Sequence, residues 1–225
     1  MIKKIFQKLL YKSGKVYTID PNIPNSFFAG VLYKRIIMLI RGYVTMGKKV
    51  YISHHCSISN KKNVFMGNNA TIEHHTIIDG YAYQKVSIGH GSRIGAYSFV
   101  SCTSHFSKYG KGLTMGNNSA VGQFTEFGAA GGIAIGNDVI MGSYVSFHSE
   151  NHNFSDTTKL IREQGVTSKG IIIGNNVWVG AKVSFLDGCS VGNHCVVAAG
   201  AVVNGNFPDY SVIGGVPAKI LKTIV

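Results

Sequence analysis

Between Met66 and Val203 an apolar residue returns at every sixth position, in six groups of three: Met66/Ile72/Ile78, Ile88/Ile94/Val100, Met115/Val121/Phe127, Ile135/Met141/Phe147, Ile173/Val179/Phe185 and Val191/Val197/Val203. A period of six matches neither the helix repeat near 3.6 nor simple two-residue strand alternation. It fits a coil with three flat sides, each hexapeptide supplying one side and one corner, so the chain is expected to be an all-β solenoid. Glycine often follows the apolar site, as at Gly67, Gly89, Gly116, Gly136, Gly174 and Gly192, and Asn68, Asn117, Asn137, Asn175 or Asn193 often comes next. Both residue types tolerate positive φ, so they are expected to turn the corners.

The breaks in the beat are ordered as well. After the first four triplets the next apolar site is due at 84, 106, 133 and 153, but the triplets resume at Ile88, Met115, Ile135 and Ile173. Every insertion therefore falls between triplets and projects from the same corner. Insertions gathered on one edge of a solenoid mark a binding face. The longest, with its flanks spanning 148–172, is polar and carries His148 and His152 four apart, with Glu150 between them. Histidine can act as a base near neutral pH without a large pKa shift, which makes this loop the candidate for chemistry.

Of the 22 Lys and Arg residues, ten lie in 1–49 (Lys3, Lys4, Lys8, Lys12, Lys15, Lys34, Arg35, Arg41, Lys48 and Lys49) against the single acid Asp20. Helical spacing with an apolar face runs over about 3–11 and 26–45. Two readings follow: helices capping the open end of the solenoid, or contact with an anionic membrane surface. No zinc-finger spacing or nucleic-acid-reading motif is present, so no nucleic-acid partner is expected. Without a signal-peptide core or a run of about 18 apolar residues, the chain reads as cytoplasmic, with association at the inner face of the membrane as the second reading. Cys56, Cys102, Cys189 and Cys195 form no CxxC pair and read as structural thiols. The expected organisation is a basic helical cap over 1–49, a β-helix over 50–207 and a C-terminal tail over 208–225.

The repeats, the loop Asn151-His152-Asn153-Phe154, the segment Ile173-Gly174-Asn175-Asn176-Val177-Trp178-Val179-Gly180, and the ending Ala198-Ala199-Gly200-Ala201 with Gly214-Gly215-Val216-Pro217-Ala218-Lys219 resemble the hexapeptide-repeat acyltransferases. The nearest branch is that of maltose, galactoside and polysaccharide O-acetyltransferases. The resemblance implies a left-handed parallel β-helix, a homotrimer with sites between subunits, acetyl-CoA as co-substrate, a carbohydrate acceptor and no metal. It places the base on His152, with His148 as the competing position. Cofactor contacts would fall on Trp178, Gly180, Ala181, Ala198, Ala199, Lys219 and Lys222. On the acceptor side, Gln123, Glu126 and Glu150 are the candidates.

The implied reaction is O-acetylation of a sugar hydroxyl in a surface polysaccharide or its precursor, with an amino-sugar N-acetyltransferase as the alternative. A γ-type carbonic anhydrase shares the scaffold, but its loop histidines are five apart. The other histidines (His54, His55, His74, His75, His90, His105 and His194) are not expected to stack at the coil repeat. A catalytically silent solenoid is the remaining rival.

Overall fold

The computed structural model describes residues 2–12 and 18–224, with only the backbone of Ile2 and Lys12; Lys15 of the basic segment lies outside the described residues. The six-residue beat becomes three parallel sheets stacked rung upon rung. Face one runs through Tyr51–Ile52, Thr71–Ile72, Arg93–Ile94, Ala120–Val121, Ile140–Met141, Trp178–Val179, Val196–Val197 and Ser211–Gly215. Face two runs from Ser57–Ser59 through Glu126–Gly128, Ser146–His148 and Ser184–Leu186 to Val202–Val203. Face three runs from Val64–Met66 through Ile133–Ile135 and Ile171–Ile173 to Asn206–Phe207. The register keeps like positions above one another: Phe127 pairs with Phe147, and Phe147 with Phe185.

All eighteen residues of the repeat are buried, none more than 4% exposed. Strand alternation turns every second side chain inward, so a coil of three short strands feeds one central column. Phe127, Phe147 and Phe185 stack in it with ring centroids 5.1 and 5.0 Å apart. The beat extends beyond the triplets: Ile52 and Ile213 are buried, and parallel pairing continues through Val196–Val212 and Val197–Ile213.

The corners differ from expectation. The glycines that follow the apolar sites do not have positive φ. They are required by close approach: a Cβ on Gly89 would lie 2.3 Å from the Gly116 carbonyl oxygen, and one on Gly116 2.6 Å from the Gly136 carbonyl. The asparagines form a ladder, each backbone N–H donating to the side-chain Oδ1 in the coil above: Asn117 to Asn137, Asn137 to Asn175 and Asn175 to Asn193, at 2.8–2.9 Å. Positive φ falls one place further on, at Asn69, Gly91, Asn118, Asp138, Asn176, His194 and Tyr210 between faces three and one, so asparagine does turn this corner in three coils, and at His55, His75, Tyr97, Phe124, Tyr144, Lys182 and Gly200 between faces one and two. The histidine expectation also fails there. His54 stacks on His74 at 5.2 Å, and His55, His75, Tyr97, Phe124 and Tyr144 form a continuous ring column with steps of 4.8–5.1 Å. The coil repeat here is 20 residues, which is the spacing of these histidine pairs.

Helix α1 (Ile2–Lys12) contacts α2 (Asn25–Met46), which lies against the first coils. Helix α2 begins after Pro24 and stops at Gly47, whose left-handed φ of 66° lets its N–H close the last turn onto the Tyr43 carbonyl. Phe28, Met38 and Gly42 are its buried residues: Phe28 packs on Phe6 of α1 with ring centroids 5.1 Å apart, and Gly42 lies against Val50 of the solenoid. Lys34 and Arg93 both pair with Glu73, at 2.9 and 3.3 Å, and Arg35 lies 4.1 Å over the Tyr51 ring. At the other end, Ala218–Thr223 folds back antiparallel on Ser211–Gly215.

Candidate active site

All four insertions emerge between faces two and three, at one corner. They support one another: Tyr83 N–H donates to the Gly110 carbonyl at 2.9 Å, and Lys111 N–H to the Ala130 carbonyl at 3.0 Å. From the longest, Asn151–His152 pairs antiparallel with Val166–Thr167, so His152 sits opposite Val166 on a small hairpin. Asn153 ties the hairpin with its N–H to the Gly165 carbonyl and its Nδ2 to the Gln164 carbonyl, both at 3.0 Å. The hairpin is bolted to the second insertion, between Val100 and Met115, through Glu150. Its Oε2 accepts from Lys108 Nζ at 3.0 Å and Ser168 Oγ at 3.2 Å, and its Oε1 from Ser104 Oγ at 3.4 Å. Lys108 also reaches Ser168 directly. Asp187 holds the exit of the loop, accepting from the N–H groups of Lys169 and Gly170, each at 2.7 Å.

His148 stands at the loop root, outward on face two, in register with Gly128 below and Leu186 above. His148 and His152 are both exposed, and neither ring has a hydrogen-bond partner among the described residues. Each can therefore receive a proton from a bound molecule. Glu126 is one coil below, opposite Ser146, which donates to Ser184 Oγ at 3.0 Å; Glu126 and His148 thus share the outer surface of face two. Thr125, beside Glu126, is buried and bonds the Gly122 carbonyl at 3.0 Å.

The residues expected at the cofactor gather elsewhere, on the last coils at the corner of faces one and two. Gln123, Ser143, Ala181 and Ala199 occupy equivalent places in successive coils, linked by N–H donation from Tyr144 to Gln123, Lys182 to Ser143 and Gly200 to Ala181, each at 2.9 Å. Ala181 and Ala199 are exposed and small, and the ring column stops at Tyr144, which leaves a shelf along the last two coils. Gly180 is fixed by packing, since a Cβ there would lie 2.5 Å from the Ala199 nitrogen; Ala198 is half-buried. Trp178 is 60% exposed on face one and lines a cleft of about 330 Å³ with His194, Val196, Tyr210 and Ile224. Lys222 pairs with Val212, which pairs with Val196, so Trp178 and Lys222 lie in one row across face one; Lys219 sits opposite Gly214 on the same strand. The structure thus brings His148, Glu150 and His152 together at one corner. It brings Trp178, Gly180, Ala181, Ala198, Ala199, Lys219 and Lys222 together beside another, with face two between them.

Lys108, Ser104, Ser168 and Asp187 carried no sequence signal, because each lies 17 or more residues from the group it holds. Two larger clefts, of about 620 and 630 Å³, lie between the helices and face one, remote from the histidine hairpin. Among the described residues no group of three His, Cys, Asp or Glu side chains is placed to hold a metal ion. The cysteines are free, and burial pushes the Cys102 and Cys189 thiols up to about 12, so both are protonated packing groups.

Residues 170–205 match the family described as bacterial transferase hexapeptide (six repeats). The chain is similar to this hexapeptide-repeat family over that stretch. A protein of Mycobacterium tuberculosis, provisionally named an acetyltransferase, is 30% identical over 138 residues, 61% of this chain and 44% of that one. A protein of Escherichia coli K12, provisionally named a lipopolysaccharide biosynthesis O-acetyl transferase, WbbJ, is 31% identical over 122 residues, 51% of this chain and 62% of that one. The match thus spans about half the length of these relatives. A crystal structure of a hexapeptide-repeat-containing acetyltransferase from Vibrio cholerae, complexed with acetyl coenzyme A, superposes with a TM-score of 0.53 at 26% identity, covering 61% of this chain and 70% of that one.

Proposed function

We propose that this chain is an acetyl-CoA-dependent O-acetyltransferase that acts on a sugar hydroxyl of a surface polysaccharide or its precursor, built on a left-handed coil. The observation that carries the reading is the exposed, unpartnered imidazole of His152 on a hairpin that Glu150, Lys108 and Ser168 fix to the solenoid corner. The relatives named as acetyltransferases support the group transferred, and the provisional name of WbbJ supports the class of acceptor.

Acetyl-CoA supplies an activated acyl thioester. His152 takes the proton from the acceptor hydroxyl as that oxygen bonds to the thioester carbonyl carbon, and the CoA sulfur departs with the electron pair of the broken C–S bond. Ala181 and Ala199 leave room for the pantetheine arm beside the backbone, and Lys219 and Lys222 meet the nucleotide phosphates as point charges. Glu150 serves the hairpin: both its oxygens are engaged by side chains of the two insertions, so it holds the base in place. Gln123 and Glu126, both on the solenoid's outer surface, would contact the acceptor. The shelf and the hairpin lie on different corners of one chain, and a homotrimer would bring the shelf of one copy against the hairpin of the next.

The test is thiol release from acetyl-CoA with a panel of neutral and amino sugars. His152→Ala is expected to lower turnover by roughly 10²–10⁴-fold, the usual worth of a positioned base, and His148→Ala by much less. Wild-type turnover in His152→Ala would overturn the assignment of the base. Turnover confined to amino sugars would replace the hydroxyl acceptor with an amine.

A further inference from the structure

Helix α2 is amphipathic in an inverted sense: its outward side is apolar. Its buried side carries Phe28, Met38 and Gly42: Phe28 packs on Phe6 of α1, and a Cβ on Gly42 would lie 1.9 Å from the Val50 carbonyl oxygen, so this side is pressed close. At 100° per residue the opposite side carries Ala29, Leu32, Tyr33, Ile36, Ile40, Tyr43 and Val44, with no charged residue among them. Leu32 is 41% exposed, Ile36 48%, Ile40 54%, Tyr33 70% and Val44 83%. These side chains follow one another at intervals of three and four, so they form one strip along four turns of helix. Such a strip amounts to on the order of 500 Å² of contiguous apolar surface, as much as the largest patch on a typical monomer.

The charges around the strip say what can cover it. Lys34 and Arg35 point back to the solenoid, where they bind Glu73 and Thr71. Arg41 is exposed on the flank of the helix, and Lys48 and Lys49 are exposed just past its end. Lys4 and Lys8 are exposed on α1 beside exposed Ile5 and Leu9. Across the described residues up to Lys49, Asp20 is the sole acid. A second copy docked on the strip would bring the same excess of positive charge against it. An anionic lipid surface removes that repulsion and takes the apolar side chains at once. Tyr33 and Tyr43 carry an apolar ring and a polar hydroxyl at the borders of the strip, which suits the depth of lipid headgroups. No described helix is long and apolar enough to cross a membrane, so the helix would lie in the plane of the surface.

We propose that the outward strip of α2, Leu32, Tyr33, Ile36, Ile40, Tyr43 and Val44, docks the protein on a membrane surface rich in anionic lipid, with Arg41, Lys48 and Lys49 as its charged rim. The proposal does not depend on the acyl-transfer reading.

The experiment is cosedimentation of the full chain with vesicles of phosphatidylcholine alone or mixed with phosphatidylglycerol, at low and high salt. Binding is expected on the mixed vesicles, weak on the neutral ones and reduced at high salt. The double variant Ile36→Glu/Ile40→Glu should bind at least tenfold more weakly, with an unchanged thermal midpoint because both side chains are solvent-exposed. The variant Arg41→Gln/Lys48→Gln/Lys49→Gln should lose the preference for anionic vesicles. Failure of the chain to bind mixed vesicles, or undiminished binding by the Glu variant, would overturn the proposal. Sedimentation velocity adds a further overturning outcome: loss of an oligomer in the Glu variant without vesicle binding by the wild type would assign the strip to a second copy.

Discussion

Gly89 illustrates how little room one residue has between coils. The Cβ of an alanine there would meet the Gly116 carbonyl oxygen at 2.3 Å and its carbon at 2.4 Å. Those atoms are backbone and cannot rotate away, so the two coils must part where the Gly89 N–H now donates to the Met115 carbonyl at 2.8 Å. Gly89→Ala is expected to destabilise the fold by about 1–3 kcal/mol, the usual cost of overpacking. Gly30 is the contrast: it lies within α2 with nothing within 4 Å of a Cβ, so Gly30→Ala should stabilise by up to about 1 kcal/mol. Denaturant midpoints for the two variants should move in opposite directions; equal shifts would refute the steric argument. The position of Gly89 was legible in the sequence, but its reason was not. Periodicity shows that a residue recurs at a corner, whereas the 2.3 Å approach depends on how closely the next coil lies.

At the scale of elements, the corner column of faces one and two has a cost in acid. His54, His55, His74 and His75 lie within ring distances of 4.8–5.5 Å at the first two coils, and Tyr97 continues the stack. Desolvation, followed by the charges of His55, His74, His75 and Arg41, holds His54 below its ordinary pKa of 6.5. A base with a lowered folded pKa binds fewer protons than it does unfolded. Its contribution to stability is therefore complete above 6.5 and lost as pH falls from 6.5 through the folded value. Unfolding midpoints should fall as pH is lowered below 6.5, while carboxylates remain ionised, and His54→Gln should flatten that fall. A slope unchanged by His54→Gln would remove His54 as its source. Two-residue adjacency made the His54-His55 and His74-His75 pairs visible in the sequence, but their stacking required the true 20-residue coil at that end. The hairpin shows the same limit. Its histidines were legible as a break in the beat, whereas the Lys108–Glu150 clamp joins groups 42 residues apart in different insertions, and no local pattern links them.

Over the whole molecule, a stack of coils has two exposed ends, and each needs a cover. Helix α2 lies against the first coils, in contact with Tyr51–Ile52 and with Gly42 pressed on Val50. At the far end, face one would finish on the open edge of Ser211–Gly215, a row of backbone groups ready to pair with another chain. Ala218–Thr223 occupies that edge, with Lys219 opposite Gly214 and Lys222 opposite Val212. The backbone of this strand supplies the cover, and the function proposed above would give its two lysine heads a separate duty toward the cofactor. Truncation after Val216 removes the backbone cover, so it is expected to lower the thermal midpoint and to promote concentration-dependent association through the bared edge. Lys219→Gln/Lys222→Gln keeps the cover and removes the charges, so its midpoint should match wild type while KM for acetyl-CoA rises and kcat stays near its original value, the mark of lost ground-state binding. If the truncated chain unfolded at the wild-type temperature and stayed dispersed, the strand would not be the cap. An unchanged KM in the lysine double variant would instead remove these residues from the cofactor path and leave the strand with its structural duty alone.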